Sequence, residues 1–194
     1  MKNKLLYFLV PVLFMLMETS CGNDYSPKPR GYFRIKLPEK AYQKYDSSCP
    51  YSFDYPVYAK IVPDSAKDAK PCWIDVVFPE FNGRVHLSYQ PVTSKKVLDE
   101  LTEDARTFAF KHTVKATSID EGKITYPDRK VYGIYYTIEG NTASSVQFFL
   151  TDSTRHYLRG ALYFNEEPRI DSIQPVLDFV KKDINVMIKS FNWK

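Results

Sequence analysis

An α+β fold, one domain built on a mostly antiparallel β-sheet covered by two main helices, is predicted by three observations. Four β-branched or aromatic runs punctuated by prolines lie between Pro50 and Pro91. A stretch of helical period follows, and then four closely spaced alternating runs lead into a second helical stretch. Strands, helix, strands and helix in that order argue for α+β rather than a regular βαβ alternation. Tyr and Phe contents of 15 and 13 in 194 residues also favour sheet, because aromatic side chains suit a half-buried pleated surface.

The first strands are expected at Tyr51 to Tyr55, Val57 to Val62, Cys72 to Phe78 and Arg84 to Tyr89. Phe81-Asn82-Gly83 reads as a hairpin connection, since Asn-Gly tolerates positive φ. From Thr93 to Val114 the period changes: Val97, Leu98, Leu101, Ala105 and Phe108 recur at helical spacing, and Thr93 or Ser94 can cap the start. Its polar side mixes Lys95, Glu100, Glu103, Asp104 and Lys111, which suits a helix resting on a sheet rather than one lying in a membrane surface. Strands return at Ser118 to Tyr126, Val131 to Ile138, Ser145 to Thr151 and His156 to Phe164, joined by turns at Asp128-Arg129, Gly140-Asn141 and Thr151 to Thr154. Four consecutive strands with short connections make an antiparallel meander. Gly160 marks a bulge or a close backbone approach. The second helix opens at Asp171 or Ser172, holds Pro175 in its first turn and carries an apolar stripe from Ile173 to Phe191. The element order is similar to that of the small α/β/α sandwiches of the Mog1/PsbP type, a likeness that implies no function.

Residues 1–20 read as a secretory signal: Lys2 and Lys4 supply positive charge, Leu5 to Met17 an apolar run too short to span a bilayer, and Thr19 and Ser20 precede Cys21. A cysteine in that place resembles a lipobox, in which cleavage before Cys21 is followed by acylation. Glu18 departs from the pattern, which prefers an apolar residue there, and ordinary cleavage of an exported protein is the alternative. Residues 21–48, with Pro27, Pro29 and Pro38, read as a lipidated tether and extended arm, and 49–194 as the globular domain. Without the signal the chain holds 25 basic and 22 acidic residues. A balance of +3, evenly spread, excludes a nucleic-acid-binding profile.

Cys49 and Cys72 remain once Cys21 is set aside, and in an exported chain two cysteines point to one disulfide. Pairing requires the chain to reverse at Pro56 so that it returns near Cys49; two buried thiols are the alternative.

No Gly-rich phosphate loop, G-x-S-x-G elbow or H-E-x-x-H pair is present. His86, His112 and His156 could converge on a zinc ion with Asp152 nearby, but scattered histidines are more often simply hydrogen-bonded or exposed, and no metal or other cofactor is expected. Ser88 beside His86 and Ser153 near His156 lack any local signature of a nucleophile and base. Asp152, Arg155, His156 and Arg159 concentrate polar chemistry at one strand end and are the candidate recognition residues. Arg155 and Arg159 share a strand face, where guanidinium forks could hold an anion or pair with neighbouring carboxylates.

The phrases PKPRGYFRI (Pro27 to Ile35), CPYSFDYP (Cys49 to Pro56), CW (Cys72 to Trp73), HLSY (His86 to Tyr89), KHTVKA (Lys111 to Ala116), TDSTRHYLRGALYF (Thr151 to Phe164) and SFNWK (Ser190 to Lys194) resemble, in order, the gliding motility lipoprotein GldD family of Bacteroidetes. The resemblance implies a lipid-anchored envelope protein needed for gliding and linked to type IX secretion, with other envelope proteins of that machinery as partners. It carries no catalytic residues, so the expected function is non-catalytic: support of the machinery's assembly or stability. The absence of an acidic run after Cys21 favours a domain facing the periplasm, from the outer membrane. The alternative is a periplasmic small-ligand or metal-binding module, or a hydrolase, using Asp152, Arg155, His156 and Arg159.

Overall fold

Period-two alternation gives the main sheet two unlike faces, and each face recruits its own helix. The computed structural model describes residues 35–165 and 170–194; the signal, Cys21 and the arm up to residue 34 lie outside the described residues. Its strands are β1 (Tyr42–Asp46), β2 (Tyr51–Pro56), β3 (Lys60–Pro63), β4 (Ile74–Phe78), β5 (Gly83–Pro91), β6 (Ala116–Tyr126), β7 (Val131–Gly140), β8 (Val146–Thr151), β9 (His156–Phe164) and β10 (Asn192–Trp193). The α-helices are α1 (Lys95–Phe110) and α2 (Ile170–Ser190). The fold is α+β, and every strand pair among the described residues is antiparallel.

Seven strands form the main sheet in the order β3-β4-β5-β9-β8-β7-β6, and β1-β2-β10 form a small second sheet. The expected meander is present as β6 to β9, and the β5–β9 ladder, from Gly83↔Phe164 to Pro91↔His156, joins it to the first strands. Residues Lys36–Lys194 make up one compact unit. β1 therefore lies in the stretch that the sequence reads as arm, and it pairs with β2 from Tyr42↔Pro56 to Asp46↔Ser52.

One face of the main sheet, through Ile74, Val76, Phe78, Val85, Leu87, Leu158, Leu162, Phe148 and Leu150, packs with Tyr51 and Phe53 of β2 and the stripe Leu177, Val180, Ile184, Met187, Ile188 and Phe191 of α2 and its end. Burying a side chain of this size contributes about 1.5–3 kcal/mol, so this layer is the main source of stability. The other face buries Tyr136, Ile138, Phe149 and Tyr157 against Ala105 and Ala109 of α1. Ser94 caps α1 by accepting a hydrogen bond from Val97 N–H at 3.3 Å. Between β4 and β5 it is Asn82, not Gly83, that takes the left-handed conformation, at φ 48°.

The registers define two ends of the sheet. β4 ends and β5 begins at Phe78↔Gly83, β9 ends beside them at Phe164, and β7 ends where β6 begins, at Gly140↔Ala116. The β2–β3 turn lies at this same end, because Lys60 pairs with Val77. Tyr42 is paired with Pro56, so the amino-terminal chain enters the domain here. The turns at 127–129 and 152–155 lie at the opposite end.

Cys49 and Cys72 are joined by a disulfide across a separation of 23 residues, with Cα atoms 5.6 Å apart. Tyr51 Oη donates to the Cys72 carbonyl at 2.7 Å, fixing the same corner from inside.

Candidate functional site

Asp152, Arg155, His156 and Arg159 are not brought to one point. Oδ1 of Asp152 accepts backbone N–H bonds from Thr154, Arg155 and His156 at 2.9, 2.8 and 2.9 Å, and Oδ2 accepts from Thr154 Oγ1 at 2.9 Å. Burial alone would raise its pKa, but these donors outweigh burial and hold the carboxyl at about 2. Its acceptor capacity is spent on the turn, which leaves Ser153 at φ 66°. Arg155 is exposed on that turn.

His156 and Arg159 point to opposite faces of the sheet, as their spacing of three along a strand requires. His156 Nδ1 lies 2.9 Å from Tyr89 Oη, and its ring stacks on Trp193 at 5.3 Å. Burial lowers the imidazole pKa, and the nearby Asp152 charge only partly restores it. Arg159 donates from Nη2 to Gln147 Oε1 at 2.5 Å, and its guanidinium lies 4.8 Å from the centre of the Phe108 ring. The Nε of Arg159 is buried with no hydrogen-bond partner among the described residues.

Arg159 borders a polar trough on the sheet beside α1, which supplies Leu101, Asp104, Ala105 and Phe108 to the wall of its smaller part. Two open cavities adjoin there, of about 690 and about 360 Å³, and both are lined by Trp73 and His86. Asp75 and Arg84 line the larger with Tyr163; Ser88, Phe108 and Arg159 line the smaller. Antiparallel register assembles this surface: His86 is opposite Asp75 and Ala161, Ser88 opposite Arg159, and Arg84 opposite Tyr163. His86 Nδ1 lies 2.8 Å from Asp75 Oδ1, and Arg84 reaches Oδ2 at 3.4 Å. The carboxylate thus fixes the imidazole through one nitrogen. Trp73 meets His86 edge-on, with ring centres 5.9 Å apart, while its own Nε1 donates to the Tyr89 carbonyl at 2.8 Å.

Trp73, Asp75 and Arg84 are not site candidates on sequence alone, and His86 is one only as a zinc ligand or the base for a serine. A signal was available: Arg84, His86, Ser88 and Gln90 alternate with Val85, Leu87 and Tyr89, which marks a strand with one polar face. His86, on β5, His112, beyond the end of α1, and His156, on the far face, do not converge. Among the described residues no group of three metal-binding side chains occurs.

A family model for gliding motility lipoprotein GldD matches residues 22–193. The chain belongs to that family. This membership supports envelope association, and among the described residues no helix is long and apolar enough to cross a membrane. No curated protein matches. Among solved structures, the solution structure of cyanobacterial PsbP (CyanoP) from Synechocystis sp. PCC 6803 is similar at 15% identity and a TM-score of 0.51, covering 84% of this chain and 98% of that one. At this identity the likeness shows a PsbP-like α/β fold and nothing of function.

Proposed function

We propose that this GldD-family protein is a non-catalytic envelope lipoprotein, anchored through Cys21 and facing the periplasm from the outer membrane. In this reading it supports assembly or stability of the gliding machinery and of the type IX secretion that accompanies it. The observation that carries the proposal is the family match across nearly the whole chain beyond the signal. The trough supplies the recognition surface: aromatic walls at Trp73 and Tyr163 provide binding area, while Arg84, His86 and Arg159 provide direction. Of the residues at the β9 end, Arg159 carries recognition in this proposal, and Asp152 shapes the turn that precedes it.

The test is crosslinking in intact cells from a photoreactive residue placed at Arg84, with identification of the captured protein. Capture of an envelope component of the gliding or secretion apparatus is expected; recovery as a free monomer overturns the assembly role.

A second reading, a small-ligand module or hydrolase, rests on the Asp75–His86 pair, since a carboxylate-held imidazole facing a cavity is suited to act as a general base. Normal gliding in a stably folded His86→Ala strain removes it.

A further inference from the structure

We propose that the end of the sheet where the chain enters the domain docks on an anionic phospholipid surface, through Val114 with Lys111 and Lys115 and through Val57 with Lys60. The inference rests on the lipid-anchor reading of Cys21, and adds to it a contact made by the folded domain.

Of the large apolar side chains exposed among the described residues, Val114 at 91% and Val57 at 50% are the most exposed. They belong to different segments: Val114 ends the short helical turn Lys111–Val114 after α1, and Val57 lies in the β2–β3 turn. Both are at the entry end, since β6 begins at Ala116 opposite Gly140 and Val57 N–H donates to the Ala41 carbonyl at 3.0 Å. Each valine is flanked by exposed lysines, Lys111 and Lys115 for one and Lys60 for the other. Lys111 keeps its ammonium 4.8 Å from the centre of the half-exposed Phe108 ring, adding apolar surface beside Val114.

An apolar tip ringed by cations is the pattern that inserts into a headgroup layer, because the methyl groups leave water while the ammonium groups stay at phosphate level. Each lysine near an anionic leaflet is worth about a fivefold change in partitioning. Contacts this weak do not hold a free protein, but a tethered domain meets the surface at high effective concentration, where they set its orientation. Glu80 and Glu139 lie at the same end, so attraction is confined to the two tips and is screened by salt.

The test uses the natural full-length protein purified from its envelope, with a polarity-sensitive fluorophore on a Val114→Cys or a Val57→Cys variant. Asp128→Cys, in the turn at the opposite end, is the control. Phosphatidylglycerol-containing vesicles, in large lipid excess, are compared with pure phosphatidylcholine vesicles. Blue-shifted emission and loss of iodide quenching at 114 and 57 with the anionic vesicles only, while the label at 128 stays exposed, is the expected result. Reversal by a Lys111→Glu/Lys115→Glu pair at position 114 is also expected. Water-exposed emission at either valine position on anionic vesicles, or equal insertion at 128, overturns the docking face. Flotation with neutral vesicles reports the anchor separately, so a failed anchor and a failed docking face give different results.

Discussion

Lys40 Nζ lies 2.6 Å from Asp183 Oδ1, although 143 residues separate them in the chain. Asp183 is 1% exposed and also accepts hydrogen bonds from Tyr42 Oη, at 2.9 Å, and from Tyr58 Oη. The Lys40 ammonium lies over the Phe179 ring at 3.2 Å. Burial lowers the Lys40 pKa even though Asp183 opposes that shift, and burial with the hydrogen bond to Asp183 pushes Tyr42 up to about 12. One carboxylate on α2 therefore gathers three donors: one from the segment that leads into β1, one from the first residue of β1 and one from the β2–β3 turn.

Removing that carboxylate takes the shared acceptor from two phenols and from Lys40, whose Nζ keeps only the Phe179 carbonyl and Tyr58 Oη, each at 3.0 Å. Asp183→Ala is expected to lose about 3–5 kcal/mol of stability, as for other broken buried pairs. Asp183→Asn, which retains an acceptor oxygen, is expected to lose less. Urea denaturation followed by tryptophan fluorescence checks both, and an Asp183→Ala loss below 1 kcal/mol would rule out the clasp.

Acid should loosen the 152–156 turn. The Asp152 carboxyl, held at about 2 in the folded chain, returns to about 3.9 when unfolded, so its contribution is complete above pH 4 and disappears as pH falls through 2. The carboxylate is partly solvent-exposed, so after discounting for screening the contribution is about 1 kcal/mol. His156, lowered chiefly by burial, acts in the same direction: the unfolded imidazole takes a proton more readily, so stability declines as pH falls below its unfolded value. Asp152→Ala should flatten the stability-against-pH curve between 2 and 4; an unchanged curve would refute the assignment.

Gly160 faces the ring of Phe148, and a Cβ there would lie 2.2 Å from Cζ of that ring, itself 1% exposed. Gly160→Ala is expected to cost about 1–3 kcal/mol by overpacking. A Phe148→Leu change in the same chain should recover part of the loss, and strictly additive effects in a double-mutant cycle would argue against the contact.

Reducing the Cys49–Cys72 disulfide should cost about 3 kcal/mol by the chain-entropy estimate for its loop. Thermal melts with and without reductant check this, and equal midpoints would show that the corner is held by Tyr51 and its neighbours alone.

Much of the architecture is legible because local patterns carry it. The spacing of Val97, Leu98, Leu101 and Ala105 marks α1, and the alternation in His156 to Phe164 marks β9 with its bounds intact. Short connections likewise reveal β6 to β9. What escapes is non-local. β10 spans two residues and exists only because Asn192 and Trp193 reach Ser52 and Tyr51. β1 alternates weakly, and its pairing with β2 needs the reversal through Cys49. The second helix begins at Ile170, which sets Pro175 inside it rather than in its first turn. The trough escaped because Asp75 and His86 meet only through the β4–β5 register, and Arg159 reaches Ser88 only through the long-range β5–β9 ladder.

The β1–β2 ladder also determines how the domain carries load. Tension arriving through residue 36 and running along β1 acts parallel to the strand, while the ladder hydrogen bonds lie across it. Pairs from Tyr42↔Pro56 to Asp46↔Ser52 are then sheared together rather than peeled one at a time, and Lys40 hands part of the force directly to α2. If the chain is loaded through the proposed amino-terminal anchor, this arrangement grips the domain by a ladder in shear.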